Sequence, residues 1–174
     1  MENQFKNKII LVTGGTGTIG SALVRKLLTY EPKQLRILSR NDSAQYHLME
    51  NLGWPKNVRT LIGDVRDLER LKLAFENVDL VFHAAALKHV SLCEYNPLEA
   101  IKTNILGSQN VVDAAFYNGV KKVIAISTDK AVDPNNVMGV SKLMMEKLLI
   151  NTSNFSKGKT MFSCVRFGNV AWAN

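Results

Sequence analysis

Short apolar runs alternate along the chain with longer stretches in which apolar residues recur every three or four positions. The short runs have the length of strands and are bounded by turn residues, whereas the longer stretches have the spacing of amphipathic helices. The predicted strands are Lys8–Thr13, Gln34–Ser39, Val58–Ile62, Leu80–Ala84, Lys122–Ser127 and Thr160–Arg166. The predicted helices are Thr18–Thr29, Ala44–Asn51, Leu68–Phe75, Pro97–Asn118 and Val137–Asn151.

Strictly alternating strands and helices predict one α/β domain over residues 1–174, a doubly wound parallel sheet of about six strands with helices on both faces. The composition, 46% hydrophobic and 21% charged, is that of a globular domain, and no repeat or linker divides the chain. Because the sequence stops soon after the last predicted strand, we expect it to be the N-terminal part of a longer chain whose C-terminal substrate domain is missing.

Charge and cysteine usage narrow the possible functions. The net charge of +7 comes from basic residues scattered among acidic ones, which disfavours nucleic-acid binding and suits either an enzyme with phosphorylated ligands or a merely basic surface. The chain has neither a bilayer-spanning apolar run nor a signal peptide, so we expect a cytoplasmic protein. Cys93 and Cys164 are isolated, which predicts reduced thiols and no metal site, and His83 at the end of a buried strand is interpreted as structural.

A glycine-rich turn, Gly14-Gly15-Thr16-Gly17-Thr18-Ile19-Gly20, follows the first strand directly and opens the first helix. Gly14 permits a tight turn, Gly17 lets the backbone approach a pyrophosphate, and Gly20 lets the helix pack closely on the strand. The helix N-terminus adds free N–H donors for the phosphates. This context predicts a Rossmann-type domain that binds NAD(P); the alternative is a structural turn without a ligand.

The end of the second strand indicates which nicotinamide cofactor binds. NAD-binding domains of this kind usually place a carboxylate there for the ribose 2′-hydroxyl, whereas this chain has Ser39-Arg40. An arginine favours a 2′-phosphate, which predicts NADP, although nearby Asp42 keeps NAD possible and Arg40 could simply cap the strand. Asp64, which precedes Val65, could accept from the adenine amino group or only cap the following turn.

Two pairs of residues carry candidate chemistry. The fifth strand delivers Thr128, Asp129 and Lys130 to the edge where open α/β sheets bind ligands, so the acid and the base could transfer protons or form only a surface ion pair. Met138 and Lys142 lie one turn apart on a predicted helix. Lys142 can therefore point toward the cofactor, although a lysine on a helix is usually solvated.

Five segments carry a family resemblance: Thr13–Gly17, His83–Val90, Lys102–Asn104, Ser127–Ala131 and Arg166–Val170. Together they resemble the nucleotide-sugar 4,6-dehydratases, and specifically the UDP-N-acetylglucosamine 4,6-dehydratase and polysaccharide-biosynthesis branch of the extended short-chain dehydrogenases/reductases. The resemblance covers nearly the whole chain. Its most specific parts are Ala84-Ala85-Ala86-Leu87-Lys88-His89 and Thr128-Asp129-Lys130, because the glycine turn occurs in many unrelated oxidoreductases.

The resemblance implies an NADP-dependent lyase of surface-polysaccharide or glycoconjugate synthesis that oxidises C4 of a UDP-sugar, eliminates water across C5 and C6, and returns the hydride to C6. Asp129 would protonate the departing C6 hydroxyl, Lys130 would take the C5 proton, and Lys142 would bind the nicotinamide ribose. Lys88 would lie near the cofactor or sugar phosphates, and Asn104 would support the loop that carries active-site residues.

The predicted site therefore has two parts, and the chain departs from the family pattern in one of them. The predicted catalytic residues are Thr128, Asp129, Lys130, Met138 and Lys142. The predicted cofactor-binding residues are Gly14, Thr16, Gly17, Thr18, Ile19, Gly20, Ser39, Arg40, Asp64, Val65, Ala84, Ala85, Ala86, Lys88, Asn104 and Lys142. Met138 stands where most short-chain dehydrogenases have the tyrosine of Tyr-x-x-x-Lys, although certain branches of the dehydratase family look similar in carrying methionine here. A thioether takes up no proton, so Thr128, Asp129 or water would have to act for it.

Two alternative functions and two further expectations complete the interpretation. A nucleotide-sugar 4-epimerase shares the first oxidation but does not need the acid and base at Asp129 and Lys130. A non-catalytic NAD(P)-binding module is the alternative from another class, motivated by Met138 and the short chain. We expect a UDP-sugar as the small-molecule partner and a homo-oligomer as the assembled state, since apolar surface would be left exposed beyond the sixth strand.

Overall fold

Six strands form one sheet in which every neighbouring pair runs parallel. The computed structural model describes residues 3–155 and 158–170. The strands are β1 (Ile9–Thr13), β2 (Gln34–Ser39), β3 (Val58–Ile62), β4 (Leu80–His83), β5 (Lys122–Thr128) and β6 (Met161–Phe167). Their order across the sheet is β3-β2-β1-β4-β5-β6. The predicted six-stranded parallel sheet is confirmed, and every strand boundary lies within one residue of its prediction.

The strands are connected by helices on the two faces of the sheet. The α-helices are α1 (Thr18–Leu28), α2 (Asp42–Leu52), α3 (Leu68–Ala74), α4 (Val90–Tyr95), α5 (Pro97–Ala100), α6 (Gly107–Tyr117) and α7 (Val137–Phe155). A π-helical segment, Ile101–Leu106, separates α5 from α6, and a 3₁₀ turn, Asp129–Ala131, follows β5.

Alternating side chains along each strand supply two separate cores. On one face, Ile10 and Val12 of β1 pack with Val24 of α1 and Leu48 of α2. On the other, Leu11 of β1 belongs to a core that also holds buried residues of α3, α6 and α7, among them Leu71, Val111 and Met145. Each fully buried side chain of this size contributes about 1.5–3 kcal/mol relative to an exposed one. The expected two-faced helical coverage follows from this alternation.

Two parts of the helical prediction were wrong. The helix α4 was not predicted, because six residues make too few turns to show a period. A single helix was predicted over Pro97–Asn118, but the π-helical segment interrupts it. The turns of a π-helix are wider than the 3.6-residue turns on which the prediction was based. Both segments lie beside the cleft described below.

The second helix begins and ends at specific capping residues. Asn41 Oδ1 accepts the N–H of Ala44 at 2.9 Å, so α2 begins at Asp42, before the predicted start at Ala44. Gly53 then adopts a left-handed conformation with φ of +70° and ends the helix. The N-terminal cap therefore directly follows Arg40 at the end of β2.

The strand order reverses direction between β1 and β4. The chain proceeds outward from β1 to β2 and β3, and then returns to place β4 on the other side of β1. The connections that leave the carboxyl ends of β1 and β4 therefore diverge toward opposite edges of the sheet and open a crevice. Ligands of open α/β sheets bind at this kind of switch point.

Candidate cofactor and active site

A cleft of about 510 Å³ lies at the carboxyl ends of the strands. Its wall combines the glycine turn, the ends of β2, β3 and β5, the loop after β4, one face of α7 and the segment after β6. The predicted site residues that line it are Gly14, Thr16, Gly17, Thr18, Ile19, Gly20, Ser39, Arg40, Asp64, Val65, Ala84, Ala85, Ala86, Lys88, Thr128, Lys130, Met138 and Lys142. Asp129 and Asn104 lie outside this lining.

Close backbone approaches explain two glycines of the turn. Gly14 has a φ of +66°, and a Cβ added there would lie 2.6 Å from the backbone nitrogen of Ala85. A Cβ on Gly20 would collide with the carbonyl oxygen of Gly14. Any side chain at either position would push the turn, the loop after β4 and α1 apart.

The start of α1 presents backbone donors to the cleft. Gly17 precedes the helix and has no side chain to cap it, and the first turn carries no acidic residue. The helix dipole therefore favours an anion here. Lys88, in the loop after β4, donates from Nζ to Thr18 Oγ1 at 3.4 Å and so adds a positive charge beside the helix N-terminus.

Ion pairs surround Asp64 at the other end of the cleft. Its carboxylate accepts the backbone N–H of Arg66 at 2.9 Å and the Arg66 guanidinium at 2.7 Å, while Arg40 Nη1 lies 3.7 Å away. Burial acts to raise the pKa of Asp64, but the hydrogen bonds and charge of Arg66 outweigh it and hold that pKa below its usual value. The carboxylate therefore caps the turn after β3 and also faces the half-exposed Arg40.

Thr128, Asp129 and Lys130 form a connected group at the end of β5. Thr128 Oγ1 donates to Asp129 Oδ1 at 2.9 Å, and Lys130 Nζ lies 3.5 Å from the same oxygen. Lys130 Nζ also donates to Asn169 Oδ1 at 3.1 Å. The hydrogen bond from Thr128, together with Lys130, lowers the pKa of Asp129. The carboxyl is therefore ionised at neutral pH. About half of the Asp129 side chain is exposed to solvent, as in a surface ion pair.

Lys142 is buried, contrary to the usual behaviour of a lysine on a helix. Only 6% of the residue is exposed, and its ammonium donates to the carbonyl oxygen of Ile126 and, at 3.3 Å, to Met145 Sδ. Burial lowers the pKa of Lys142 to about 8. Met138, one turn earlier, packs against Cys93 and Ala100 and also lines the cleft. Its thioether therefore has a packing role at the wall of the cleft.

His83 and Asn104 act behind the wall of the cleft. The ring nitrogens of His83 contact Thr13 Oγ1 at 2.7 Å and Ser108 Oγ at 2.9 Å, and complete burial lowers the pKa of His83 to about 3. The neutral ring joins β1 to α6, as expected of a structural histidine. Asn104 bonds both backbone groups of Leu87 and so holds the loop after β4 from behind.

Several residues of the cleft were not predicted to belong to the site. They are Leu38, Asn41, Gly63, Leu87, His89, Ile126 and Ser127, together with Thr103, Phe167, Gly168, Asn169 and Val170. The last five fall inside the segments Lys102–Asn104 and Arg166–Val170, so the family resemblance was the available signal for them. The contact between Lys130 and Asn169 joins residues 39 positions apart. No spacing pattern in the sequence predicts that contact.

Within residues 3–155 and 158–170, no helix has the length and apolar character needed to cross a bilayer. The same residues contain no cluster of three or more His, Cys, Asp or Glu side chains placed to hold a metal ion.

Residues 10–174 match the family described as Polysaccharide biosynthesis protein. An uncharacterized membrane protein of Methanocaldococcus jannaschii is 56% identical over 171 residues, 98% of this chain and 51% of that protein. A UDP-N-acetylglucosamine 4,6-dehydratase (inverting) of Campylobacter jejuni is 51% identical over 168 residues, 95% of this chain and 50% of the enzyme. A UDP-glucose 4-epimerase of Rickettsia felis is 46% identical over 171 residues, again 95% and 50%. The chain thus spans about half the length of these relatives.

Solved structures share the fold. The Pen protein of Bacillus thuringiensis superposes with a TM-score of 0.92 at 48% identity, covering 97% of this chain and 52% of that one. DesIV of Streptomyces venezuelae, a dTDP-glucose 4,6-dehydratase with NAD bound, superposes with a TM-score of 0.83 at 25% identity, covering 91% and 53%.

Proposed function

This chain belongs to the polysaccharide-biosynthesis branch of the extended short-chain dehydrogenases/reductases, and we propose that it is the cofactor-binding part of an NADP-dependent nucleotide-sugar 4,6-dehydratase. The observation that carries the proposal is the group at the end of β5. There, Lys130 lines the cleft beside Thr128, and Asp129 contacts both residues. An acid and a base side by side suit an elimination.

The residues of the turn and of α1 fit a dinucleotide. Gly14 and Gly20 let the turn, the loop after β4 and α1 lie close together, and the uncapped first turn of α1 with Lys88 beside it suits a pyrophosphate. Arg40 borders the cleft and half of its side chain is exposed, so its guanidinium can turn from Asp64 to a 2′-phosphate. This supports NADP over NAD.

When bound, the nicotinamide would accept a hydride from C4 of the sugar and return it to C6. Lys142 would donate to the nicotinamide ribose, because its ammonium lies in the cleft wall and is already oriented by Ile126. Lys130 would take the C5 proton, and Asp129 would protonate the departing C6 hydroxyl so that it leaves as water. Thr128, Asp129 or water would accept the proton of the C4 hydroxyl, since Met138 cannot.

The acid role of Asp129 requires a change in its surroundings. In this structure Thr128 and Lys130 favour the carboxylate form, which holds no proton to donate at neutral pH. A sugar covering the site would remove water from the carboxyl group and raise its pKa. Because Lys130 enters as the cationic partner of this ion pair, the loss of water would favour transfer of its proton to Asp129, which leaves a neutral amine to take the C5 proton and a protonated acid for the departing hydroxyl. A pH profile of elimination would therefore report Asp129 and Lys130 as a coupled pair.

The test of the proposed function is the product that the complete gene product forms from UDP-N-acetylglucosamine. A 4-keto-6-deoxy sugar, identified by NMR, supports the dehydratase. A 4-epimer with no loss of water would instead establish the epimerase alternative, which the 46% identity to the Rickettsia felis enzyme favours as second candidate. Tight NADP binding with neither product would favour a non-catalytic module, for which Met138 is the motivation.

The remaining expectations stay predictions. A UDP-sugar as the substrate, a homo-oligomer as the assembled state and a cytoplasmic location are expected from the sequence. Exposed apolar side chains on α4, α5 and α7, among them Tyr95, Leu98 and Met144, are compatible with association. Analytical ultracentrifugation of the complete gene product would measure its oligomeric state.

A further inference from the structure

A cluster of ionisable groups, two of them buried, lies between β5, β6 and α7, next to the cleft. It consists of Lys142 and Glu146 on α7 and Cys164 and Arg166 on β6, and we call it the α7–β6 cluster. Arg166 donates to both carboxylate oxygens of Glu146, from Nε at 2.9 Å and from Nη2 at 2.7 Å. Only 6% of the Glu146 side chain is exposed.

The burial of Glu146 calls for an explanation. A carboxylate removed from water costs free energy that a single ion pair often fails to recover, and an apolar side chain could fill the same space. The bidentate contact with Arg166 satisfies the carboxylate but does not require it to be there. Glu146 lies four residues after Lys142, so the two side chains project from one face of α7, and both are buried.

We propose that Glu146 is a positioning residue for the reaction, which with Arg166 keeps the buried Lys142 cationic and directed toward Ile126 and the cleft, so that Lys142 can donate hydrogen bonds to the bound cofactor. This inference rests on the proposed function, since Lys142 needs its charge only if a ligand uses it. Glu146 itself lies outside the lining of the cleft and acts through Lys142.

The groups that face Lys142 leave Glu146 as the source of negative charge. From β4, His83 is neutral, because burial lowers its pKa to about 3. From β6, burial raises the pKa of the Cys164 thiol to about 11, so the thiol is also neutral near pH 7. Burial acts to raise the pKa of Glu146, but the hydrogen bonds and charge of Arg166 outweigh it and keep the carboxylate ionised. Among the described residues that act on Lys142, Glu146 therefore supplies the anion.

The ionisation of Lys142 can be followed directly. Burial lowers the pKa of Lys142 to about 8, while the charge of the Glu146 carboxylate acts to raise it. Lys142 is thus cationic below that pH and loses its charge as pH rises through it. Removing the Glu146 charge should move this midpoint to lower pH, by about one pH unit or more.

The experiment is NMR titration of protein labelled with ¹³C at lysine Cε, with Lys142 assigned from a Lys142→Met spectrum. In Glu146→Gln the Lys142 midpoint should fall. In Arg166→Gln it should fall as well, because the buried Glu146 carboxyl then loses the partner that holds its pKa down and gives up its charge. A lowered midpoint in both folded variants requires an electrostatic role, whereas a purely structural role would leave the midpoint in place. Glu69→Gln, which removes an exposed ion-pair partner of Lys72 on α3, is the matched control and should leave the midpoint unchanged.

The pH dependence of NADP affinity, measured by calorimetry, provides the second readout. Wild type should lose affinity above about pH 8, and Glu146→Gln should lose it at correspondingly lower pH yet match wild type at pH 6. An unchanged Lys142 midpoint in both folded variants would overturn the inference while leaving the proposed function intact. Should Glu146→Gln fail to fold, an unmoved or raised Lys142 midpoint in Arg166→Gln would overturn it. A wild-type protein that binds no NADP(H) at any pH would instead overturn the proposed function.

Discussion

The side-chain amide of Asn104 forms hydrogen bonds with both the backbone N–H and the carbonyl group of Leu87. Asn104 Oδ1 accepts the Leu87 N–H at 2.8 Å, and Asn104 Nδ2 donates to the Leu87 carbonyl oxygen at 3.0 Å. The same Nδ2 donates to Ser141 Oγ at 2.9 Å. The π-helical segment therefore holds the loop after β4 and the start of α7 together, and both of these elements form the wall of the cleft.

Asn104→Ala should lower both stability and cofactor affinity. It leaves the Leu87 N–H and carbonyl without their buried partner, which should reduce the free energy of unfolding by about 2–4 kcal/mol, measured by urea denaturation. Asn118→Ala is the matched control, because Asn118 Nδ2 also bonds two backbone carbonyls, those of Lys72 and Ala114. It should cost stability without changing NADP affinity. Equal effects of the two variants on affinity would contradict a local role for Asn104.

Gly14→Ala and Gly53→Ala separate backbone strain from the close approach at the turn. Both glycines have positive φ, +66° and +70°, but only at Gly14 does an added Cβ meet other atoms. Gly53→Ala should therefore cost about 1–2 kcal/mol of unfolding free energy from the left-handed conformation alone. Gly14→Ala should cost about 1–3 kcal/mol more and abolish detectable NADP binding. If the two variants had similar unfolding temperatures and similar NADP affinities by calorimetry, the contact with Ala85 would matter little.

Arg40→Ala should remove the preference for NADP over NAD. A charged hydrogen bond to the 2′-phosphate contributes about 1.5–3 kcal/mol, or roughly 10- to 100-fold in affinity. Calorimetry with both cofactors measures the ratio, and Arg25→Ala, at an exposed arginine on α1, is the control. A wild-type protein that binds NADP no better than NAD would refute the assignment of Arg40.

Asp129→Asn and Lys130→Met should separate chemistry from binding in the complete gene product. Each should keep NADP affinity and lose elimination by about 10²- to 10⁴-fold, the usual contribution of a general acid or base. In deuterated water, wild type should place solvent deuterium at C5 of the 4-keto product. Near-normal elimination by Lys130→Met would end its role as the base. Met138→Leu should be mild, because that side chain packs rather than reacts.

His83 should make the protein lose stability in mild acid. Its pKa is about 3 in the folded chain and about 6.5 when unfolded. The unfolded state therefore binds more protons between these values, and stability should fall as pH drops through this window, with a slope of up to about 1.4 kcal/mol per pH unit. His83→Gln should flatten that part of the stability curve relative to His47→Gln, which alters an exposed histidine. Parallel curves for the two variants would argue against the buried neutral ring.

The strands inside the sheet could be predicted because parallel strands covered by helices on both faces appear as short apolar runs. The more exposed edge strands β3 and β6 could be predicted from the turn residues that bound them. The helix α4 and the π-helical segment could not be. The first has too few turns to repeat, and in the second the wider turns that put Asn104 against Leu87 depend on a contact 17 residues away. The same limit applies to the site, where the end of β5 was predicted but the partner of Lys130, Asn169 on the segment after β6, was not.

The sequence by itself determined the strands, the parallel sheet and the glycine turn at the cleft, because hydrophobic period and glycine spacing act over a few neighbouring residues. Only the tertiary structure decided the ionisation and accessibility of individual groups. Lys142 is buried because α7 packs on β5, and the carboxylate of Glu146 is ionised because β6 brings Arg166 to it. The burial and the charge of a side chain depend on atoms from distant parts of the chain. The local pattern of residues does not predict which distant parts will lie beside it.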